Sequence, residues 1–332
     1  MTEPLARWPS RIHVRATLEN WLRLFGAPRN RLPAIRAVFI LLLGIFALTT
    51  PGFLSEPSIL SLLTTVSFMG CVAVGMTLIT ISGNIMSFSL GAIVGATAMI
   101  FIAAVNWGGV AFGFMAALAS GALLNAVQGF AIGWARANPI IISIAMLALI
   151  YGVVEAVGAA GTIYAQAGVS YGMFKGAVAG IPIEFAMFLC VTVVGQLILS
   201  FTIFGRNVYM VGGSIRAADA IGVRPWRTVS GAYLWAGLFS ALAGIMLSIR
   251  YDSASMDYGV GYDYEAVAAV LVGGTLIKGG EGSIVRTLGG VMIIAIIQVV
   301  LLLRGLRQEW QYLISGLIVL AVIILHTRGT RD

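Results

Sequence analysis

Charge is scarce in this 332-residue chain: Asp, Glu, Lys and Arg together make up 10% of it, against about 25% in an ordinary soluble domain. A water-soluble fold is excluded, because its surface would need more charge than the chain holds. Histidine is limited to His13 and His326, and no metal-ligand spacing joins them. The two cysteines, Cys71 and Cys190, both sit in apolar runs and read as small packing residues, not as a disulfide framework. No G-x-S-x-G elbow and no paired-carboxylate constellation appears, so the chain is not expected to be an enzyme. No short apolar core with a cleavage-like site precedes residue 33, and no cleaved signal peptide is expected.

What remains is apolar. Hydrophobic residues are 59% of the chain and mean hydropathy is +0.98. The 41 glycines fall inside apolar runs, as expected where helix backbones pack closely in lipid. The solvent is therefore a bilayer, and the expected fold is an all-α polytopic membrane helix bundle. A crossing helix needs roughly 20 mostly apolar residues. About ten candidate spans lie near 33–50, 57–81, 86–104, 107–134, 139–158, 182–203, 228–250, 264–277, 283–303 and 311–326. No internal repeat is visible, and one membrane domain (33–327) follows a basic arm (1–32) and precedes a short tail (328–332).

The pI of about 9.7 raises the question of nucleic acid. The basic residues answer it by position: Arg7, Arg11, Arg15, Arg23, Arg29, Arg31 and Arg36 crowd the N-terminal arm, and no basic stripe interleaves with aromatics elsewhere. Positive-inside topology and attraction to anionic lipid headgroups explain them, with no nucleic acid. With the N-terminus inside, Arg136, Arg206, Arg216, Arg224, Arg227, Lys278, Arg286, Arg328 and Arg331 are also cytoplasmic. Only Lys175, Arg250, Arg304 and Arg307 fall outside, where 251–263 instead carries Asp252, Asp257 and Asp263. An even number of spans with both termini cytoplasmic follows.

Polar groups within apolar runs are candidates for a solute pathway, because hydrocarbon makes them costly unless paired or wetted. Ser82, Asn84, Ser87 and Ser89, with Gly83, interrupt an apolar stretch. The interruption is either a discontinuous segment at membrane depth or a plain turn between helices. Asn125 and Gln128 lie i, i+3 on one helix face, suited to interhelical hydrogen bonds or to solute. Asn138-Pro139 reads as an interfacial helix start. Glu155 is the sole carboxylate of an otherwise apolar span and either meets solute or pairs near the external end. The glycine-rich stretch Gly273-Gly274-Thr275…Lys278-Gly279-Gly280 is not a phosphate loop: Gly279 follows Lys278 where Ser or Thr should stand, and no strand precedes it.

Two stretches carry a family resemblance. Phe204-Gly205-Arg206-Asn207-Val208-Tyr209-Met210-Val211-Gly212-Gly213, continuing through Arg216-Ala217-Ala218-Asp219 to Gly222, resembles a segment of the ribose/monosaccharide-type ABC importer permeases. The Arg216-Ala217-Ala218 to Gly222 spacing is similar to the E-A-A-x-x-x-G coupling loop of ABC importers, with Arg216 where many have Glu. Gly261-Tyr262-Asp263-Tyr264-Glu265-Ala266 through Gly273-Gly274-Thr275, then Gly279-Gly280-Glu281-Gly282-Ser283, resembles the family's second glycine motif. The likeness is specific over about 200–320 and looser over 55–200, through Gly83, Pro139 and Gly152. Many relatives carry an acidic G-x-x-D-L-S-x-G where this chain has Gly83 to Gly91 without the aspartate.

The resemblance implies a permease subunit that forms the path for a sugar or sugar-like solute in a bacterial inner membrane. It implies partner ATPase subunits that hold ATP and Mg, a periplasmic or extracellular solute-binding protein, and a second permease copy or paralogue. This chain itself would bind no cofactor. Gly212, Gly213, Arg216, Ala217, Ala218, Asp219 and Gly222 would form the ATPase-coupling loop. The competing reading is an ion-gradient-driven secondary transporter, for which Glu155 would be the first relay residue to consider.

Overall fold

The structure is a computed structural model. It describes residues 44, 46–157, 161–167, 169, 171–178 and 180–307, and beyond these 309–311, 313, 314, 316, 317 and 320. Its bounded α-helices follow in order: α1 Glu56–Ile81, α2 Leu90–Gly108, α3 Val110–Ala135, α4 Pro139–Ala156, α5 Ile183–Phe201, α6 Ile203–Gly213, α7 Ile215–Ala220, α8 Pro225–Tyr251, α9 Tyr262–Val272 and α10 Ile284–Leu303. Two-residue strands pair Ile163–Tyr164 (β1) with Ser253–Ala254 (β4), and Ala177–Val178 (β2) with Ile181–Pro182 (β3). They gather at one end of the bundle, here the hairpin end.

Among the described residues seven helices, α1 to α5, α8 and α10, are long and apolar enough to cross a membrane. That number falls short of the ten expected, for two reasons. The spans at 33–50 and 311–326 lie largely outside the described residues, as do the arm and the tail. The span at 264–277 is instead α9, whose 11 residues reach only about 16 Å, half the thickness of the hydrocarbon core. The start of α4 is as read: Pro139 opens it, and Asn138 caps it by accepting the Ile140 amide at 2.9 Å.

Helix α1 is apolar all round and lies at the centre, buried from Val66 to Ile81. The broadest helix contact is between α3 and α8, which run antiparallel. Gly121, Gly129 and Gly133 of α3 meet Gly237, Tyr233 and Trp226 of α8, a small-residue face of the kind that lets backbones touch in lipid. Cys71 is buried in this core, whereas Cys190 is exposed on α5 and so does not pack within the chain.

Contacts give each helix its direction. α8 runs from the end where Gly231 meets Phe204 of α6 to the hairpin end, where Arg250 pairs with Glu184 at 3.1 Å and Lys175 pairs with Asp252. Val94 to Ala98 of α2 lie beside Gly244 to Ser248 of α8, parallel to it, and Ser248 Oγ donates to the Ala98 carbonyl at 3.2 Å. Extending that register puts the first turn of α2 about 20 Å in from the Pro225 end of a helix about 40 Å long. Helix α2 therefore starts near the middle of the bundle, and residues 82–89 make the first half of its crossing without a helix.

A second crossing is built the same way. After α8, the stretch 252–261 turns back into the bundle along α2: Met256 lies against Gly95, and the Gly259 carbonyl and Asp263 lie against Gly91. Helix α9 starts there and runs toward α6. The stretch 251–263 is thus not an external loop throughout, because Asp263 is buried against the start of α2. A long helix, a break and a helix that begins mid-bundle occur once in each direction, α1–α2 and α8–α9. No residue-level repeat announces this inverted arrangement in the sequence.

Candidate functional site

Two helix starts converge in the middle of the bundle. Neither Ser89 before α2 nor Gly261 before α9 caps its helix with a side chain. The first turns of two helices therefore lie around the Gly91–Asp263 contact, and at α9 the Asp263 carboxylate itself accepts from the backbone N–H groups of Asp263 and Tyr264. Non-helical backbone at such depth is held only where protein buries it or water reaches it. The four polar side chains expected in the first break, Ser82, Asn84, Ser87 and Ser89, are all buried.

Their hydrogen bonds show what each does. Helix α1 ends in a Schellman turn: Gly83, at φ 88°, sends its N–H to the Thr80 carbonyl, and the Asn84 N–H goes to Ile79. Ser82 Oγ donates to Ile79 O at 2.7 Å and accepts from Asn84 Nδ2 at 2.9 Å. Ser87, Ser89 and Gln128 close a ring: Ser89 donates to Gln128 Oε1 at 2.6 Å, Gln128 Nε2 donates to Ser87 at 3.0 Å, and the two hydroxyls are 3.0 Å apart. The ring satisfies itself and ties the break to α3, so these three groups act first as structure. Gln128→Leu is expected to lower stability by about 1–3 kcal/mol, by leaving buried hydroxyls without their partner. Thermal melting in detergent measures it, and an unchanged midpoint would show the ring to be dispensable.

Asn125, one turn before Gln128, is fully buried, and neither atom of its amide has a hydrogen-bond partner among the described residues. It sits between Gly121 and Gly129 on the face that meets α8, beside Gly237. Glu155 does not join the others: it is exposed and next to last in α4.

The junction also holds residues that the sequence reading missed. The Phe88 and Tyr264 rings stand 5.8 Å apart, and Tyr264 is 62% exposed. Tyr151 of α4 lies within electrostatic reach of Asp257 and Asp263. Glu265 is buried within hydrogen-bonding reach of Gln298. Carboxylates in an apolar run are themselves the signal of an intramembrane site, but the charge bias had assigned Asp257 and Asp263 to the outside. By contrast, a cavity of about 330 Å³ between α2 and α4, lined by Met99, Ile100, Leu149 and Val153 among others, is wholly apolar. It offers nothing to a hydroxyl-rich solute.

At the far end, α6 buries Gly205, Val208 and Val211 and leaves Arg206 exposed, so it lies along the bundle surface. Helix α7 stands almost free, with Arg216, Ala217 and Asp219 exposed and only Ala218 buried. Its end explains the spacing of the motif. Gly222, at φ 84°, donates to the Asp219 carbonyl and Val223 donates to Ala218, another Schellman turn. The glycine of A-A-x-x-x-G is thus the left-handed residue that stops the helix. Ile215 and Ile221, 49% and 67% exposed, flank the arginine on this surface.

The second glycine motif is the loop between α9 and α10. Gly273 lies against the Arg286 and Thr287 backbone of α10, and Gly274 closes the turn that ends α9. Thr275 is buried with its hydroxyl unpartnered among the described residues. Gly279, Gly280 and Gly282 meet the end of α1 and the end of α6.

Residues 58–323 match a family described as branched-chain amino acid transport system / permease component. The chain belongs to this family. The ribose import permease protein RbsC of Bacillus subtilis is 32% identical over 98% of each chain. The galactose/methyl galactoside import permease protein MglC of Haemophilus influenzae is 31% identical over 88% of this chain and 93% of its own. The inner membrane ABC transporter permease protein YjfF of Escherichia coli is 29% identical over 91% and 93%. No solved structure matches the chain. This family member is a multi-pass membrane permease subunit of an ABC importer, and the ion-gradient reading gives way to it.

Proposed function

We propose that this permease subunit carries a sugar or sugar-like solute through a bacterial inner membrane. A periplasmic or extracellular binding protein delivers the solute, and separate ATPase subunits hold and hydrolyse ATP with Mg. A second permease copy, or a paralogue, completes the path. The observation that carries this reading is α7: a short, sharply terminated and nearly free helix at the end of the bundle where basic residues collect. Arg136, Arg206, Arg216, Arg224, Arg227, Lys278 and Arg286 all belong to that end. At the hairpin end, Lys175 and Arg250 are each neutralised by a carboxylate, which leaves Arg304 and Arg307 against those seven. The positive-inside rule favours a cytoplasmic α6–α7 end, which suits ATPase docking; with the expected spans at 33–50 and 311–326 on either side, both chain termini are cytoplasmic. Residues 1–32 then form a cytoplasmic arm on anionic lipid, 33–327 the permease domain and 328–332 the tail.

Sugar as the solute class rests on the names of the relatives and on the chemistry of the junction. Aromatic faces, carboxylates and amides serve the C–H and O–H surfaces of a polyol. Purification of the tagged chain from native membranes in mild detergent tests the proposal. An ABC ATPase should co-purify, and the binding protein encoded beside it should bind ribose, galactose or a related sugar in a solute screen. Reproducible recovery of the chain alone would reject the assembly, and a binding protein that takes only amino acids would reject the solute.

A further inference from the structure

The ends of the two broken crossings and the end of α6 meet at one place, and a glycine stands on at least one side of each close contact there. A Cβ on Gly212, the next-to-last residue of α6, would strike the Ile81 carbonyl and come within 2.6 Å of the Gly280 nitrogen. On Gly83 it would lie 3.2 Å from the Gly212 Cα, on Gly279 2.7 Å from the Gly83 nitrogen, and on Gly280 2.8 Å from the Gly213 Cα. Three backbones therefore touch without side chains between them. Two hydrogen bonds clasp the knot: Gly280 N–H donates to Ile81 O at 2.9 Å, and Tyr209 Oη of α6 donates to Gly282 O at 2.9 Å.

We infer that this glycine knot is the transmission joint of the transporter, through which displacement of the coupling segment α6–α7 moves both mid-bundle helix starts together. The inference rests on the importer reading above. The connections on either side are short. From Gly83 the chain reaches the start of α2 within the seven residues 84–90. From Gly279 it runs back through the turn at Gly274 to α9, whose 11 residues lead to the same junction. Backbone packed on backbone has little slack, because no side chain can change rotamer to absorb a shift. Tyr209 and the glycines are positioning residues, acting on the solute path through the two breaks.

The test uses the full assembly in native membranes and needs no knowledge of the solute. In a Cys190→Ser background, reporter cysteines replace Ile85 in the first break or Val260 in the second, both partly exposed. Their rates of labelling by a water-soluble thiol reagent are compared with and without ATP and vanadate. In the parent, both reporters should change rate with nucleotide. Tyr209→Phe loses one hydrogen bond and no volume, so it should fold. It should keep the ATPase bound yet reduce both responses together, by about threefold or more. Gly212→Ala should do the same more strongly. Gly289→Ala on α10, where a Cβ meets nothing within 4 Å, is the control and should respond as the parent does.

Parental responses at both reporters in Tyr209→Phe overturn the joint, as does a parent in which only one reporter moves. If Gly212→Ala fails to accumulate, Tyr209→Phe alone decides. A parent that brings down no ATPase overturns the importer assembly itself, a separate result from either.

Discussion

Gly237→Leu is expected to leave almost no folded chain in the membrane. Gly237 lies where α8 crosses α3, and a Cβ there would strike the Gly121 carbonyl and stand 2.7 Å from Asn125 Cβ. Backbone cannot rotate aside as a side chain can, so the two helices must separate, and the broadest contact of the bundle goes with them. Without a hydrophobic drive between helices in lipid, close packing is what holds the pair. Overpacking a core already costs about 1–3 kcal/mol where side chains can adjust, and more is expected here. Gly152→Leu on α4 is the matched comparison, since a Cβ there meets nothing within 4 Å. The yield of monodisperse protein by size exclusion reads both. Equal yields for Gly237→Leu and the parent would refute the close α3–α8 crossing, and loss of yield for Gly152→Leu would show an unseen contact on α4.

Substitutions in α7 are expected to remove the ATPase while leaving the permease folded. Gly222 holds a left-handed conformation, which costs an ordinary residue roughly 1–2 kcal/mol and a β-branched one more. Helix α7 has six residues and few contacts with which to resist that strain. Gly222→Val should unravel its end and displace Ala217, Ala218 and the flanking Ile215 and Ile221. Arg216→Glu reverses the charge at the same surface without strain. Each should lower ATPase recovery in pull-down by about tenfold or more, the equivalent of about 1.4 kcal/mol, and uptake should fall with it. Melting in detergent should stay close to the parent, because α7 contributes little to the core. Normal expression with undiminished ATPase binding in both variants would remove α7 from the interface.

Much of this could be read from residue order, and the failures have a common cause. The composition forced a bilayer, Pro139 and Asn138 marked a helix start, and the run Ser82–Ser89 announced a break. The A-A-x-x-x-G spacing was legible because a Schellman turn imposes a glycine at a set distance. What stayed hidden depends on depth. The apolar stretch 264–277 has the hydropathy of a span, and only the turn at Gly273-Gly274 reveals a half-length helix. Asp263 reads as an external acid, since nothing in its neighbours says that the chain turns back into the bundle after Asp252. Glu155 stands out as the lone acid of its span, yet it lies exposed at a helix end. Gln128 and Ser89 are 39 residues apart, and that pairing belongs to the fold, not to any local pattern.

The inverted pairing of α1–α2 with α8–α9 has an electrostatic consequence. Each helix that begins at the junction points the positive end of its dipole there, equivalent to roughly half an elementary charge apiece. The Asp263 carboxyl beside Gly91 sets a group that can carry negative charge at the same spot. That charge offsets the two helix ends, and with Asp257 and Glu265 close by the junction carries no excess of positive charge. A neutral polyol crosses such a point without being held or turned away by charge. Take away the carboxylate, as in Asp263→Asn, and the same two helix ends would lose the negative charge set directly against them, which makes the junction more receptive to anions.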